Sequence, residues 1–233
     1  MNAERIPSNL ESVRRRIAAA ASRVGRPEDA IRLVAVTKKS PADWVRPLVA
    51  CGACDLGENY PQELWRKAEL LADLGSSIRW HLIGHLQTNK VKKTLPLVRM
   101  IHSVDSLKLL QILDQSVLDL ADPPRVCLQV NTSGEVSKHG WTPDQALRDA
   151  DAIAACRTIP IVGLMTMAAW GTTAETARPS FIRLREVRDL LQQKTGLALN
   201  ELSMGMSGDF EAAIEEGASL VRIGSALFEG LES

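Results

Sequence analysis

Ile31-Arg32-Leu33-Val34-Ala35-Val36-Thr37-Lys38 is the stretch on which the fold reading rests. Five of its first seven residues are apolar and two are valines, so it reads as a buried strand. Lys38 and Lys39 stand where that strand should stop. A lysine at the mouth of a buried strand is disfavoured in its charged form, which makes its amine nucleophilic and suited to condensing with a carbonyl compound. The plainer alternative is that the two lysines solvate the strand end. Further strand-like runs fall at 54–57, 78–83, 100–104, 125–130, 161–165, 201–204 and 220–223, beside the first at 33–37. Helical patterns separate them.

Eight strands alternating with helices predict an α/β fold, a single (β/α)8 TIM barrel spanning residues 1–233. A doubly wound open sheet is the alternative. Such sheets usually carry G-x-G-x-x-G after the first strand, and none follows Val36. A helix over residues 8–24 precedes the first strand and is expected to cover the barrel's N-terminal end. Its apolar face is Leu10, Val13, Ile17, Ala20 and Val24, and Arg14-Arg15-Arg16 lies on a solvated face. Ser40-Pro41, Thr142-Pro143-Asp144-Gln145 and Ser8-Asn9-Leu10-Glu11 read as helix starts, and 180–193 as a long amphipathic helix.

The 233 residues are 45% hydrophobic, and Lys plus Arg balance Asp plus Glu at 28 each. That balance lacks the basic footprint of a nucleic-acid binder. Residues 1–8 are polar and no long apolar span follows, so a cytoplasmic protein without a membrane segment is expected, as a monomer. Cys51, Cys54, Cys127 and Cys156 make no zinc pattern, and Cys51-Gly-Ala-Cys54 is expected to supply buried small hydrophobes. His81 and His85 have a helical zinc spacing but fall on a strand and its following turn, so no metal is expected.

Barrel chemistry gathers at the C-terminal ends of strands. Those ends carry Lys38, Glu58-Asn59-Tyr60, Gly84-His85, Met165-Thr166-Met167, Ser203 to Ser207, and Arg222-Ile223-Gly224-Ser225. Glycines at the last two ends let backbone N–H groups approach an anion, or simply make tight turns. A phosphate site beside a Schiff-base lysine suits pyridoxal 5'-phosphate or a class I aldolase substrate. The stretch Met165 to Trp170 reads as a lid, a docking surface or ordinary packing over the barrel mouth.

Six motifs occur in order: Ala35-Val36-Thr37-Lys38, Gly57-Glu58-Asn59-Tyr60, Trp80-His81-Leu82-Ile83-Gly84-His85-Leu86-Gln87, Gly163-Leu164-Met165-Thr166-Met167, Leu202-Ser203-Met204-Gly205-Met206-Ser207 and Val221-Arg222-Ile223-Gly224-Ser225-Ala226. Together they resemble the pyridoxal phosphate homeostasis proteins, the YggS/PROSC family. The resemblance implies a barrel like the alanine racemase N-terminal domain, with pyridoxal phosphate as an aldimine on Lys38. It also implies phosphate contacts from Ser207, Gly224 and Ser225, Arg222 at the pyridine nitrogen, and Asn59, His85 and Met165 along the site. Strand alternation is expected to turn Lys38 and Lys39 to opposite faces. The implied role is to hold the cofactor and supply it to PLP-dependent apo-enzymes met transiently, with no catalytic residues. A PLP-dependent racemase of low activity, or an aldolase, is the alternative.

Overall fold

A computed structural model describes residues 4–135, 138–169 and 171–231. Eight strands form its centre: β1 (Arg32–Val36), β2 (Asp55–Glu58), β3 (Arg79–Leu82), β4 (Val98–Val104), β5 (Arg125–Gln129), β6 (Ile161–Met165), β7 (Glu201–Ser203) and β8 (Leu220–Ile223). Each pairs in parallel with the next, and β8 returns to β1 with Ala35 opposite Ile223, so the sheet closes into a barrel. The helices in chain order are α1 (Arg5–Arg23), α2 (Ala42–Ala50), α3 (Pro61–Leu70), α4 (Val91–Thr94), α5 (Leu107–Ser116), α6 (Pro143–Arg148), α7 (Ala150–Ala154), α8 (Ala174–Thr195) and α9 (Phe210–Glu215). No helix among the described residues is long and apolar enough to cross a membrane.

Among the described residues β8 is followed by a 3-10 turn, Ser225–Leu227, where a barrel would normally place another helix. α1 fills that position. It packs between α9 and α2, burying Ile6, Leu10, Val13, Ile17 and Ala20 along one stripe. The extra helix therefore closes the ring of outer helices at the β8–β1 seam, and its Arg14 and Ile17 line a cavity with the N-terminal ends of β1, β2 and β3. Its arginines are solvated, and Arg16 and Arg23 reach Glu211 and Glu215 on α9.

Local grammar shifts some boundaries. Thr142 forms the expected capping box with Gln145. Pro41, not Ser40, is the residue before α2, and α1 begins three residues ahead of Ser8. α8 starts at Ala174 because Thr173 and Thr176 cap it, and it runs through Pro179. Cys127 and Cys156 are buried, whereas Cys51 and Cys54 are only half-buried.

Inside the barrel, Val34, Met100, Cys127, Met165 and Leu220 pack as an apolar cluster. Strand β6 reaches its neighbour only because Gly163 has no side chain: a Cβ there would overlap the Glu201 carbonyl of β7. Backbone cannot yield as a flexible side chain can. Gly163→Ala is expected to cost about 3 kcal/mol, the upper end of overpacking penalties, read as a lowered urea midpoint at unchanged slope.

Candidate functional site

The C-terminal ends of β1, β2, β3, β6, β7 and β8 surround a cavity of about 500 Å³. Lys38, Asn59, Met167, Ser207, Arg222 and Gly224 are among its lining residues. A second cavity of about 800 Å³ shares Lys38, Asn59, Gly224 and Ser225 with it and opens toward Trp44 and Tyr60.

Lys38 lies two residues past the end of β1, in a turn closed by the Ser40 N–H donating to the Thr37 carbonyl at 3.0 Å. It is exposed, so the expectation of a desolvated lysine at the strand mouth is corrected: the amine projects into an open cleft. The turn itself is built on buried charge. Glu58 and Lys67 are each 1% exposed and pair at 2.6 Å. Lys67 also donates to the Thr37 carbonyl at 2.5 Å, and the Thr37 hydroxyl donates to Glu58 at 2.6 Å. The carbonyl and the hydroxyl of Thr37, the residue before Lys38, are thus both fixed from below.

Lys39 follows with φ of 63°, a left-handed conformation that a non-glycine side chain seldom adopts. The two lysines are separated by this turn, not by strand alternation. Lys38 lines both cavities, while Lys39 lines only the one beside Trp44.

At the opposite wall Arg222 projects inward from β8 and is 4% exposed. Burial lowers its pKa to about 10, which leaves it charged at neutral pH. It donates to Ser203 Oγ at 2.7 Å and to the Thr166 carbonyl at 2.9 Å. Ser203 is the first link of a column through the barrel. Its hydroxyl lies 2.6 Å from His102 Nδ1, His102 Nε2 lies 2.8 Å from His81 Nδ1, and His81 Nε2 lies 2.9 Å from Asp55 Oδ1. Arg79 closes the far end with a bidentate grip on Asp55.

The protons of this column can be assigned. Burial lowers the pKa of both imidazoles and keeps them neutral. Burial opposes ionisation of Asp55, yet hydrogen bonds from Arg79 and His81 hold its carboxyl well below the usual range. An ionised Asp55 only accepts, so His81 carries its proton on Nε2. His81 Nδ1 then accepts from His102 Nε2–H, His102 Nδ1 accepts from Ser203, and Ser203 accepts from Arg222. Every link has one donor and one acceptor.

The third element is an anion cradle. Gly224 and Ala226 both direct backbone N–H groups at Ser207 Oγ, each at 3.3 Å. A Cβ on Gly224 would press against Val36 at 3.2–3.3 Å, so this approach suits glycine. The Ser207 loop is held by Asp209, which accepts from the Met206 N–H at 2.6 Å; burial raises the Asp209 pKa. Gly205 turns the loop at φ of 92° where a Cβ would meet α9. An aldehyde, a ring nitrogen and a phosphate each have a chemically matched group in this one cleft: a primary amine, a guanidinium and a cradle of amides.

Of the sequence-named residues, Lys38, Asn59, Ser207, Arg222, Gly224 and Ser225 line the 500 Å³ cavity. His85 and Met165 do not. Met165 belongs to the buried cluster inside the barrel, and the residue two further on, Met167, lines the cavity instead. His85 stands exposed at the rim, 2.7 Å from Asp105. Ile83 and Met206 also line the cavity and carry no sequence signal beyond their places at strand ends. Of the stretch from Met165 to Trp170, Met165, Thr166 and Ala168 are buried, and Trp170 lies outside the described residues.

Such a barrel, with a lysine after the first strand and backbone amides gathered after the last two, is of the alanine racemase N-terminal-domain class. The family model described as "Alanine racemase, N-terminal domain" matches residues 8–232. Within that class the chain belongs to the pyridoxal phosphate homeostasis protein family. It is 44% identical over 225 residues to the pyridoxal phosphate homeostasis protein of Pseudomonas aeruginosa, covering 96% of this chain and 94% of that one. It is 41% identical to the Homo sapiens protein of that name, covering 94% of this chain and 84% of that one. The structure of PipY from Synechococcus elongatus, solved with PLP bound, superposes with a TM-score of 0.83 at 36% identity, over 96% of this chain and 99% of that one.

Two outcomes test this geometry. Lys67→Met leaves the Glu58 carboxylate buried without its partner and is expected to destabilise the fold by about 3–5 kcal/mol in denaturant titration. The histidine column makes stability depend on pH. Folded His81 and His102 stay neutral, whereas an unfolded histidine gains a proton below about pH 6.5. The unfolded chain therefore binds more protons as pH falls, and stability should drop below that pH by up to about 2.7 kcal/mol per pH unit for two sites. Urea midpoints at a series of pH values should show this slope, reduced in His102→Gln.

Proposed function

We propose that this chain holds pyridoxal 5'-phosphate as a Schiff base on Lys38 and takes part in intracellular homeostasis of that cofactor. The observation that carries the reading is the convergence of Lys38, Arg222 and the Ser207 cradle on one cavity, in a barrel that superposes on PipY with PLP bound. When bound, the cofactor supplies an aldehyde carbon with which the Lys38 amine condenses reversibly. The chain's own residues do the rest. Ser207 with the backbone at Gly224 and Ser225 takes the phosphate, and Arg222 faces the ring nitrogen. Asn59 lines the site. His85 acts from the rim, and Met165 acts through the packing behind Met167.

Arg222 donates only and stays charged, so it keeps a facing ring nitrogen unprotonated and the ring a weak electron sink. Two-base racemisation needs a proton-carrying group on each side of a bound substrate. The chain's one tyrosine, Tyr60, is 66% exposed and does not line the cavity shared by Lys38 and Arg222. The reading is therefore a holder with no robust catalytic activity, working as a cytoplasmic monomer that passes its cofactor transiently to apo-enzymes. Reversibility is what suits it to buffering a reactive aldehyde.

The test is the visible spectrum of the purified protein beside Lys38→Ala, with and without borohydride. The expected result is a yellow protein whose colour is lost in Lys38→Ala, with cofactor mass fixed on the Lys38 peptide by reduction. A protein that stays colourless with added pyridoxal phosphate overturns the reading and favours a sugar-phosphate aldolase. Lys38-dependent steady turnover of an amino acid would instead make it an enzyme.

A further inference from the structure

On the rim of the same barrel mouth stands a group of side chains outside the cavity that Lys38 and Arg222 line. His85 follows β3, Asp105 follows β4, and His139 lies in the segment after β5. One ligand atom from each lies within 4.8 Å of the other two. Two imidazoles on one tetrahedral ion, with metal–nitrogen bonds of ~2.05 Å, place their ring centres about 5.2 Å apart. The centres of His85 and His139 are 5.1 Å apart, a spacing the ion would allow, with the two rings stacked at 21° to one another. The Asp105 side chain is 8% exposed, 2.7 Å from His85 Nδ1, and that of His85 is 48% exposed. A sheltered carboxylate thus backs two imidazoles that face solvent.

We propose that His85, Asp105 and His139 form a binding site for a divalent transition ion of the zinc type. Neutral imidazole and carboxylate are the donors that zinc takes, whereas calcium and magnesium prefer oxygen alone. A His85–Asp105 hydrogen bond on its own needs no second imidazole. Once an ion sits between the rings, His139 supplies a third donor, and the exposed side is left for water. Each donor is carried by backbone that is already fixed. The Ser103 hydroxyl donates to the Gly84 carbonyl at 2.6 Å, just before His85. Asp105 precedes Ser106, whose hydroxyl accepts from Leu109 at the start of α5. Gln129 Nε2 donates to the His139 carbonyl at 2.8 Å, and Trp141 N–H donates to the Gln129 carbonyl at 3.0 Å.

The sequence expectation of no metal rested on spacing within one segment. These three donors come from three separate strand ends, which spacing rules do not join. His81, the partner that spacing did suggest, is buried in the barrel column. The site does not depend on the Lys38 reading, since none of its donors lines the 500 Å³ cavity.

The experiment is a titration of the full chain, freed of metal with a chelator, with Co2+ followed by its visible d–d absorption and then by Zn2+ displacement. The expected result is one saturable equivalent of Co2+, displaced by Zn2+, with affinity reduced at least about tenfold in His139→Ala and in His85→Ala. A Cys51→Ser, Cys54→Ser double variant should bind as the parent does. Circular dichroism identifies any variant that fails to fold; His139 is exposed, so its variant is the reference. Binding no tighter than millimolar, or binding undiminished in His139→Ala, would overturn the proposal and leave a hydrogen-bonded histidine pair.

Discussion

A guanidinium charged at neutral pH sits 4% exposed inside a β-barrel, and the rest of the site depends on how that charge is held. A buried charge without partners is prohibitively costly, so Arg222 requires Ser203 and the Thr166 carbonyl. Ser203 in turn requires His102, His102 requires His81, and His81 requires the ionised Asp55 at the far mouth. A fully satisfied network of this kind fixes side-chain direction as firmly as apolar packing does. Its consequence is one inflexible donor at the wall of the cleft, supported across the whole depth of the barrel.

Lys38 is held by the opposite strategy. Its amine is exposed and free to react, while the residue before it is locked by the buried Glu58–Lys67 pair. A flexible reactive arm on an immobile turn suits reversible condensation, where the cofactor must both arrive and leave. The cradle after β7 and β8 needs neither charge nor side-chain bulk, only backbone amides brought close by Gly224 and the loop turned at Gly205. The rim histidines stand at the same mouth, outside the cavity that the cradle lines.

The barrel was legible in the sequence because each strand is a short apolar run between helical patterns, and eight such runs in order admit few topologies. Strand edges moved by a residue or two, as for β4, which starts at Val98. The cradle was legible too, because glycine and serine at two consecutive strand ends form a local pattern. Other features had no local signature. The left-handed turn at Lys39 belongs to a residue type that rarely makes one. Lys67 sits on an amphipathic helix where a lysine reads as solvated, yet it is among the most buried side chains. The run Ser203–His102–His81–Asp55 draws on four strands, and its successive members lie at least 21 residues apart in sequence. Register explains Met165 and Met167: both share a face of β6 and its extension, and only depth along the barrel decides which meets the cavity.

The most direct test of the central claim is a crystal structure of the protein after exposure to pyridoxal phosphate. The account predicts continuous density from Lys38 Nζ to the ring, the ring nitrogen facing Arg222, and the phosphate seated on Ser207 and the amides that follow Ile223. Attachment to Lys39, or a phosphate lodged away from that cradle, would contradict it.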